Sequence, residues 1–179
     1  TFAIHPDKAP GPDGFSASFF QANWEVVGPA VIREVQGFFS SGAIRPTQNA
    51  THVRLIPKIV GAKKVADYHP IALCNVFFKI ISKLLALRLK QVLHLIISEN
   101  QFAFIPGRAI ADNILIIHEV LQFLKISQAQ KRCTMAVKTD MSKAYDRVEW
   151  RFIEKVLQRL GFHSKWIHLI MQCVSTVTY

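Results

Sequence analysis

Between residues 76 and 97 apolar side chains fall at Phe78, Ile81, Leu85, Leu89, Val92 and Ile96, while Lys79, Lys83, Lys90 and His94 lie off that stripe. A spacing of three or four predicts one amphipathic helix with a basic flank. The same period returns from about Asp112 to Lys125, where it points Ile114, Ile117, Leu121 and Leu124 inward. In "THVRLIPK", Thr51 to Lys58, the period changes to two. His52 and Arg54 alternate with Val53 and Leu55, as in a strand half open to solvent. The Gly- and Lys-bearing stretch "IVGAKKVADYH" then reads as a hairpin-like connection into the short apolar run "PIALC". "CTMAVKTD", Cys133 to Asp140, is too short and too β-prone for a helix and predicts a buried strand ending at Asp140.

Stop and start signals fill in the rest. The prolines and glycines of "HPDKAPGPDGF" exclude helix, and Pro12-Asp13-Gly14 has the residues of a tight turn. Ser16 is placed to cap a helical segment through Trp24, and Pro29 suits the first turn of a second helix that ends near Gly42. Asp146, with Glu149 three residues on, has capping-box spacing for a helix to about Leu160 that Gly161 ends. Ser164 is the expected cap of a last helix through Val174. No internal repeat or low-complexity segment occurs. Helices, two strands, long helices, one strand and helices predict an α+β domain, helix-rich with a small antiparallel sheet.

Composition narrows the classes of partner. At 179 residues and 50% hydrophobic, the chain suits about one domain with a core. The net charge of +10 is uneven: residues 1–50 carry −1 and residues 51–179 carry +11. A polyanion would sit on the second part. Cys74, Cys133 and Cys173 are odd in number and far apart, which argues against a disulfide framework or a zinc cluster and for a reducing, intracellular setting. Lysines and arginines interrupt every apolar run before it reaches about 18 residues, so no membrane partner is expected. The chain starts at Thr1 without an initiator Met and stops at Tyr179 inside an apolar run, which reads as cut at both ends.

Candidate chemistry concentrates at Asp140. A carboxylate at the end of a strand beside a basic cleft is a hard-oxygen ligand for Mg²⁺, which takes one or two protein carboxylates besides water and substrate phosphates. Nucleotidyl transfer holds two metals about 3.5–4 Å apart, beyond the reach of one carboxylate. The alternative is that Asp140 only ends its strand by accepting nearby backbone amides.

The string "KTDMSKAYDRV" looks like the first palm motif of reverse transcriptases. With "KAPGPDGF", "VRLIPK", "ADYHPIALCN", "ENQFAFIPGR" and Asp112-Asn113, in that family's order, the chain resembles the enzymes of non-LTR (LINE-type) retrotransposons, especially those of plants. The resemblance implies a partial right-hand polymerase fold: a fingers-like region over about 1–125 and the start of the palm over about 126–179. It implies RNA-directed DNA polymerisation with Mg²⁺, or Mn²⁺, on an RNA template and a DNA primer with deoxynucleoside triphosphates, in the nucleus at the site of integration. Asp140 matches the metal-binding catalytic aspartate, and Tyr145 the aromatic under the incoming sugar that disfavours a 2′-hydroxyl. Lys58 matches the fingers lysine that reaches the triphosphate. His69 stands where the family carries an arginine, and imidazole offers no bidentate fork. Phe104, Gly107 and Arg108 match the loop that shapes the template path, although Ala103 replaces a frequent glycine and Phe102 fills a slot usually small.

Each of these positions also has a plainer reading. Lys58 could be one more solvated lysine, Tyr145 packing at a turn, Asp146 a cap, and Arg108 a loop arginine paired with a neighbour. Lys79 and Lys83, one helical turn apart, are the favoured phosphate contacts, and Lys63-Lys64 and Lys131-Arg132 are further basic pairs. Phe77, Phe78, Phe123 and Phe152 are most simply core. No two of the twelve acidic residues are adjacent, so the paired aspartates of the family's "YADD"-like hairpin are absent. Two readings result: a reverse transcriptase fragment, or an inactive relic or nucleic-acid-binding module of the same fold. A nuclease would need more clustered carboxylates, and a polymerase making RNA a smaller residue than Tyr145.

Overall fold

The computed structural model describes residues 1–127, 135–141 and 144–179, and the chain packs as two units, residues 1–86 with 149–179, and residues 87–148. In the first unit, the arm before the first helix makes the expected turn: Gly14 N–H donates to the Gly11 carbonyl at 3.1 Å, and the Asp13 carboxylate accepts Phe15 N–H at 3.1 Å. Helix α1 (Ala17–Ala22) starts at Ser16, whose hydroxyl accepts Phe19 N–H. Helix α2 (Trp24–Ser41) is longer than its proline suggested. Pro29 lies inside it, because the first bonds are closed earlier by the Asn23 carbonyl, which accepts Val26 and Val27 N–H. Gly42 ends α2 at φ 74°, a left-handed conformation glycine adopts without a Cβ penalty.

The predicted sheet is an antiparallel pair, β1 (Thr51–Pro57) and β2 (Tyr68–Cys74), in register from Thr51 opposite Cys74 to Pro57 opposite Tyr68. Helix α3 (Val76–Lys90) follows directly. It is shorter than the single helix expected to residue 97. Gln91 and Val92 N–H bond three residues back, to Arg88 and Leu89, which tightens and ends the α-helix before the turn α4 (Leu93–Ile96). Its buried face is also wider than the predicted stripe. Val76 and Ile80 join Ile4 and Ala17, whereas Ile81 and Leu85 join Phe38, Ile44, Leu169 and Cys173. Phe77 and Phe78 pack against the second cluster, as expected of core aromatics. Two buried asparagines tie strand ends to distant chain. Asn75 accepts Asp13 N–H and donates to the Thr47 carbonyl, and Asn49 donates to the Cys173 carbonyl and the Thr176 hydroxyl. A Cβ at Gly11 would overlap Asn75, so "PGPDG" and "LCN" fit only with glycine there.

In the second unit, helix α5 (Ile110–Ile126) forms where predicted, but none of its residues is buried. Ile114, Ile117 and Leu121 are each more than half exposed, and so is Phe123. In its own unit no described element buries it, so periodicity alone misassigned its inward face. The expected buried strand up to Asp140 is also absent: residues 135–141 have no regular structure and are exposed, with Met135 at 82%. A β-prone run becomes a strand only beside a partner, and among the described residues it has none. Cys133 and Lys131-Arg132 lie outside the described residues.

Helix α6 (Ala144–Arg147) contains Asp146, so that residue does not start the next helix. Back in the first unit, Glu149 is extended, and α7 (Trp150–Arg159) begins after it. Gly161 at φ 81° ends α7 as predicted, with Phe162 N–H on the Leu157 carbonyl and Gly161 N–H on that of Gln158. Helix α8 (Ser164–Ser175) is capped by the His163 ring rather than Ser164, its Nδ1 accepting Lys165 N–H. Helix α7 packs on α8. Thr51 N–H then bonds the Thr178 carbonyl, placing that segment beside β1.

Candidate active site and nucleic-acid interface

The hairpin carries the triphosphate candidates. Paired residues of antiparallel strands share a face, so His52, Arg54 and Ile56 lie with His69, Ile71 and Leu73. Lys58 follows Ile56 by two residues. Its ammonium donates to the Ala66 carbonyl at 2.9 Å and its backbone N–H to that of Asp67 at 2.8 Å, closing the loop between the strands. The Asp67 carboxylate accepts both Lys63 and Lys64 N–H, at 3.2 and 3.0 Å. Those two amides, Lys64 first, and then the charge of Lys58 hold its carboxyl below the ordinary value of 3.8. Tyr68 donates its hydroxyl proton to the Ala62 carbonyl. Three lysines are thus held on one ordered loop, next to a strand face with two imidazoles and a guanidinium.

Two of these residues escaped the reading of the sequence. Asp67 was only one letter of "ADYH", and its role depends on a loop that folds back onto it. Arg54 was visible as a polar alternate in β1. The strand register is what makes it a diagonal neighbour of His69, within reach of a long side chain.

Lys79 and Lys83 are engaged differently from expectation. Their ammonium groups donate to the carbonyls of Ala9 and Ala3 at 3.0 and 2.7 Å, pinning the N-terminal arm to α3 together with Gln21, whose amide donates to the Ile4 carbonyl. Each ammonium keeps two further donors for a phosphate.

In the second unit, Arg108 donates from Nη1 to the carbonyls of Ser98 and Gln101, both at 2.6 Å, and so fixes the loop between them. Gly107 has φ 78° and Phe104 φ 66°. Phe104 is 89% exposed, at a conformation that costs a bulky residue about 1–2 kcal/mol. Asp140 is exposed, and no described group bonds its carboxylate. Among the described residues no three His, Cys, Asp or Glu side chains gather in a metal-holding group. A lone exposed carboxylate fits as one of the one or two that Mg²⁺ takes, and does not by itself hold a metal pair. The side chains of Tyr145 and Asp146 lie outside the described part of the structure.

The first unit thus carries a cationic hairpin loop, and the second an exposed carboxylate at Asp140. The family is the reverse transcriptase (RNA-dependent DNA polymerase) family, to which the chain belongs: its sequence matches that family over residues 58–178. Over 162 residues, 90% of the chain, it is 30% identical to the Xenopus laevis "Transposon TX1 uncharacterized 149 kDa protein". It is 28% identical over 154 residues to a Drosophila melanogaster "Retrovirus-related Pol polyprotein from type-2 retrotransposable element R2DM", and 27% identical over 144 residues to the Popillia japonica polyprotein from a type-1 element R2. The chain spans 12%, 14% and 20% of the length of these relatives. The reverse transcriptase domain of a LINE-type element, expected from the motifs, is what these matches give. No described helix is long and apolar enough to cross a membrane.

Proposed function

We propose that the protein containing this domain is the RNA-directed DNA polymerase of a LINE-type retrotransposon, extending a DNA primer along an RNA template from deoxynucleoside triphosphates. The family match over residues 58–178, with an exposed Asp140 inside it, carries this reading. Residues about 1–125 serve as fingers and about 126–179 as the start of the palm. Asp140 holds Mg²⁺, with Mn²⁺ as a substitute, alongside carboxylates from elsewhere in the polypeptide. A divalent ion held there would supply activation of the primer hydroxyl and offset charge on the phosphates. The chain's own contribution is positioning: Lys58 and Arg54 take the triphosphate on the hairpin, Tyr145 excludes a 2′-hydroxyl, and Arg108 shapes the loop along the template. Lys79 and Lys83 meet backbone phosphate, and the protein works in the nucleus at its integration site. The quoted strings, taken together, are the support for a plant-type element.

A second reading, an inactive relic that still binds nucleic acid, is favoured by His69 and by the bulky Phe102 in the template loop. Primer extension by the polypeptide carrying the complete domain decides between them. The enzyme reading expects extension that Asp140→Asn reduces at least a thousandfold while RNA affinity stays within about twofold. Residual activity within about tenfold removes the metal role from Asp140, and a wild-type polypeptide that binds RNA without extending primer is the relic.

A further inference from the structure

Helix α7 has a face that the polymerase reading does not use. Arg151, Lys155 and Arg159 recur every fourth residue, which puts three cations about 6 Å apart along one side of the helix. All three are exposed, and among the described residues none is ion-paired. The opposite side of α7 is spoken for: Leu157 is buried, and the helix packs on α8. Next to the cationic row, at helical spacing, stand Phe152 and Val156, with Phe152 62% exposed. Sequence reading placed Phe152 in the core; the wheel of α7 turns it outward, because Leu157 and Ile153 occupy the inward sector.

A row of unpaired cations matches a row of phosphates, and an exposed ring beside it suits a base freed from its stack. We propose that the α7 face is a binding track for single-stranded nucleic acid, with Arg151, Lys155 and Arg159 on the backbone and Phe152 as a stacking platform. Charge complementarity selects a polyanion, and the aromatic neighbour selects a single strand over a duplex, whose bases are not available to stack. The track is a surface additional to the hairpin and the Asp140 segment, and its test reads binding rather than polymerisation, so it stands or falls separately from the polymerase reading.

The test uses the 179-residue chain and fluorescent oligo-uridine and oligo-thymidine, with anisotropy followed from low to moderate salt. Replacing Arg151, Lys155 and Arg159 together by Gln is expected to flatten the slope of log affinity against log salt by about 2, at about 0.7 per phosphate contact on a single strand. Arg151→Lys with Arg159→Lys should keep the slope, and Phe152→Ala should lower affinity about tenfold with the slope unchanged. Circular dichroism identical to the wild type establishes that each variant is folded. An unchanged slope in the folded triple variant overturns the proposal. So does a triple variant that loses affinity for polyglutamate but keeps it for both oligonucleotides, which would assign the face to an acidic protein.

Discussion

Arg54 sits two residues before Ile56, which pairs with His69, so a guanidinium and an imidazole share one face of the hairpin. At the position where the family resemblance implies an arginine, the imidazole of His69 cannot form a two-pronged contact with phosphate, but Arg54 can supply the fork from the neighbouring strand. In the complete domain, Arg54→Ala is therefore expected to raise the apparent KM for deoxynucleotides about tenfold, the effect of one charge-assisted hydrogen bond. His69→Arg in the same polypeptide should restore most of it. A KM untouched by Arg54→Ala would remove the residue from the site. At this scale Lys58, His69 and Asp140 could be put forward as candidates because each stands in a string that resembles the family's motifs. Arg54 was not, because its partner lies fifteen residues away and only register brings the two together. Phe152 misled for a related reason: an aromatic at helical spacing says which sector it occupies, and the element packed on the helix decides whether that sector is covered.

The hairpin loop is an element whose shape depends on one carboxylate. Asp67 accepts the Lys63 and Lys64 amides while Lys58 bonds back to Ala66, so three lysines are held around a closed turn. Asp67→Ala should leave the strand pairing in place and free those two amides, and hydrogen exchange at Lys63 and Lys64 would then rise toward the rate of an open chain. The pH dependence follows from the lowered carboxyl. A group whose folded pKa is depressed stabilises above its unfolded value, here 3.8, and that contribution disappears as pH falls through the lower folded value. The loop should thus stay ordered through mild acid and open only below that range. Exchange at Lys63 and Lys64 that is the same in Asp67→Ala and wild type would show that the bonds are not maintained in solution. The strand pair and the loop between them could be read from a change of period and a Gly-Lys stretch. The strand expected before Asp140 failed, because a ladder needs a second chain segment that the pattern of one segment cannot supply.

Across the whole molecule, burial is concentrated in the first unit. Phe38, Ile81, Leu85, Leu169 and Cys173 come from α2, α3 and α8, segments far apart in the chain, and Ile81 is fully buried among them. Helix α5, in the second unit, has no buried residue. A helix of its 17 residues is close to marginal alone, since most helical stability in proteins comes from tertiary packing. Hydropathy made the two kinds of helix look alike: both show apolar residues three and four apart, and only the packing separates a core helix from an uncovered one. The difference has an energetic consequence. Ile81→Val removes one methylene from a filled cluster, at a cost of about 0.5–1.5 kcal/mol. Amides of α2 and α8 that exchange only when the core opens should therefore speed up by about two- to tenfold. Those of α5, which open locally whatever the stability of that core, should keep their wild-type rates. Hydrogen exchange resolved by peptide reads both at once. If α5 accelerated in step with α2 and α8, its stability would be coupled to the core, and the separation into an ordered core and an independently fraying apolar helix would be wrong.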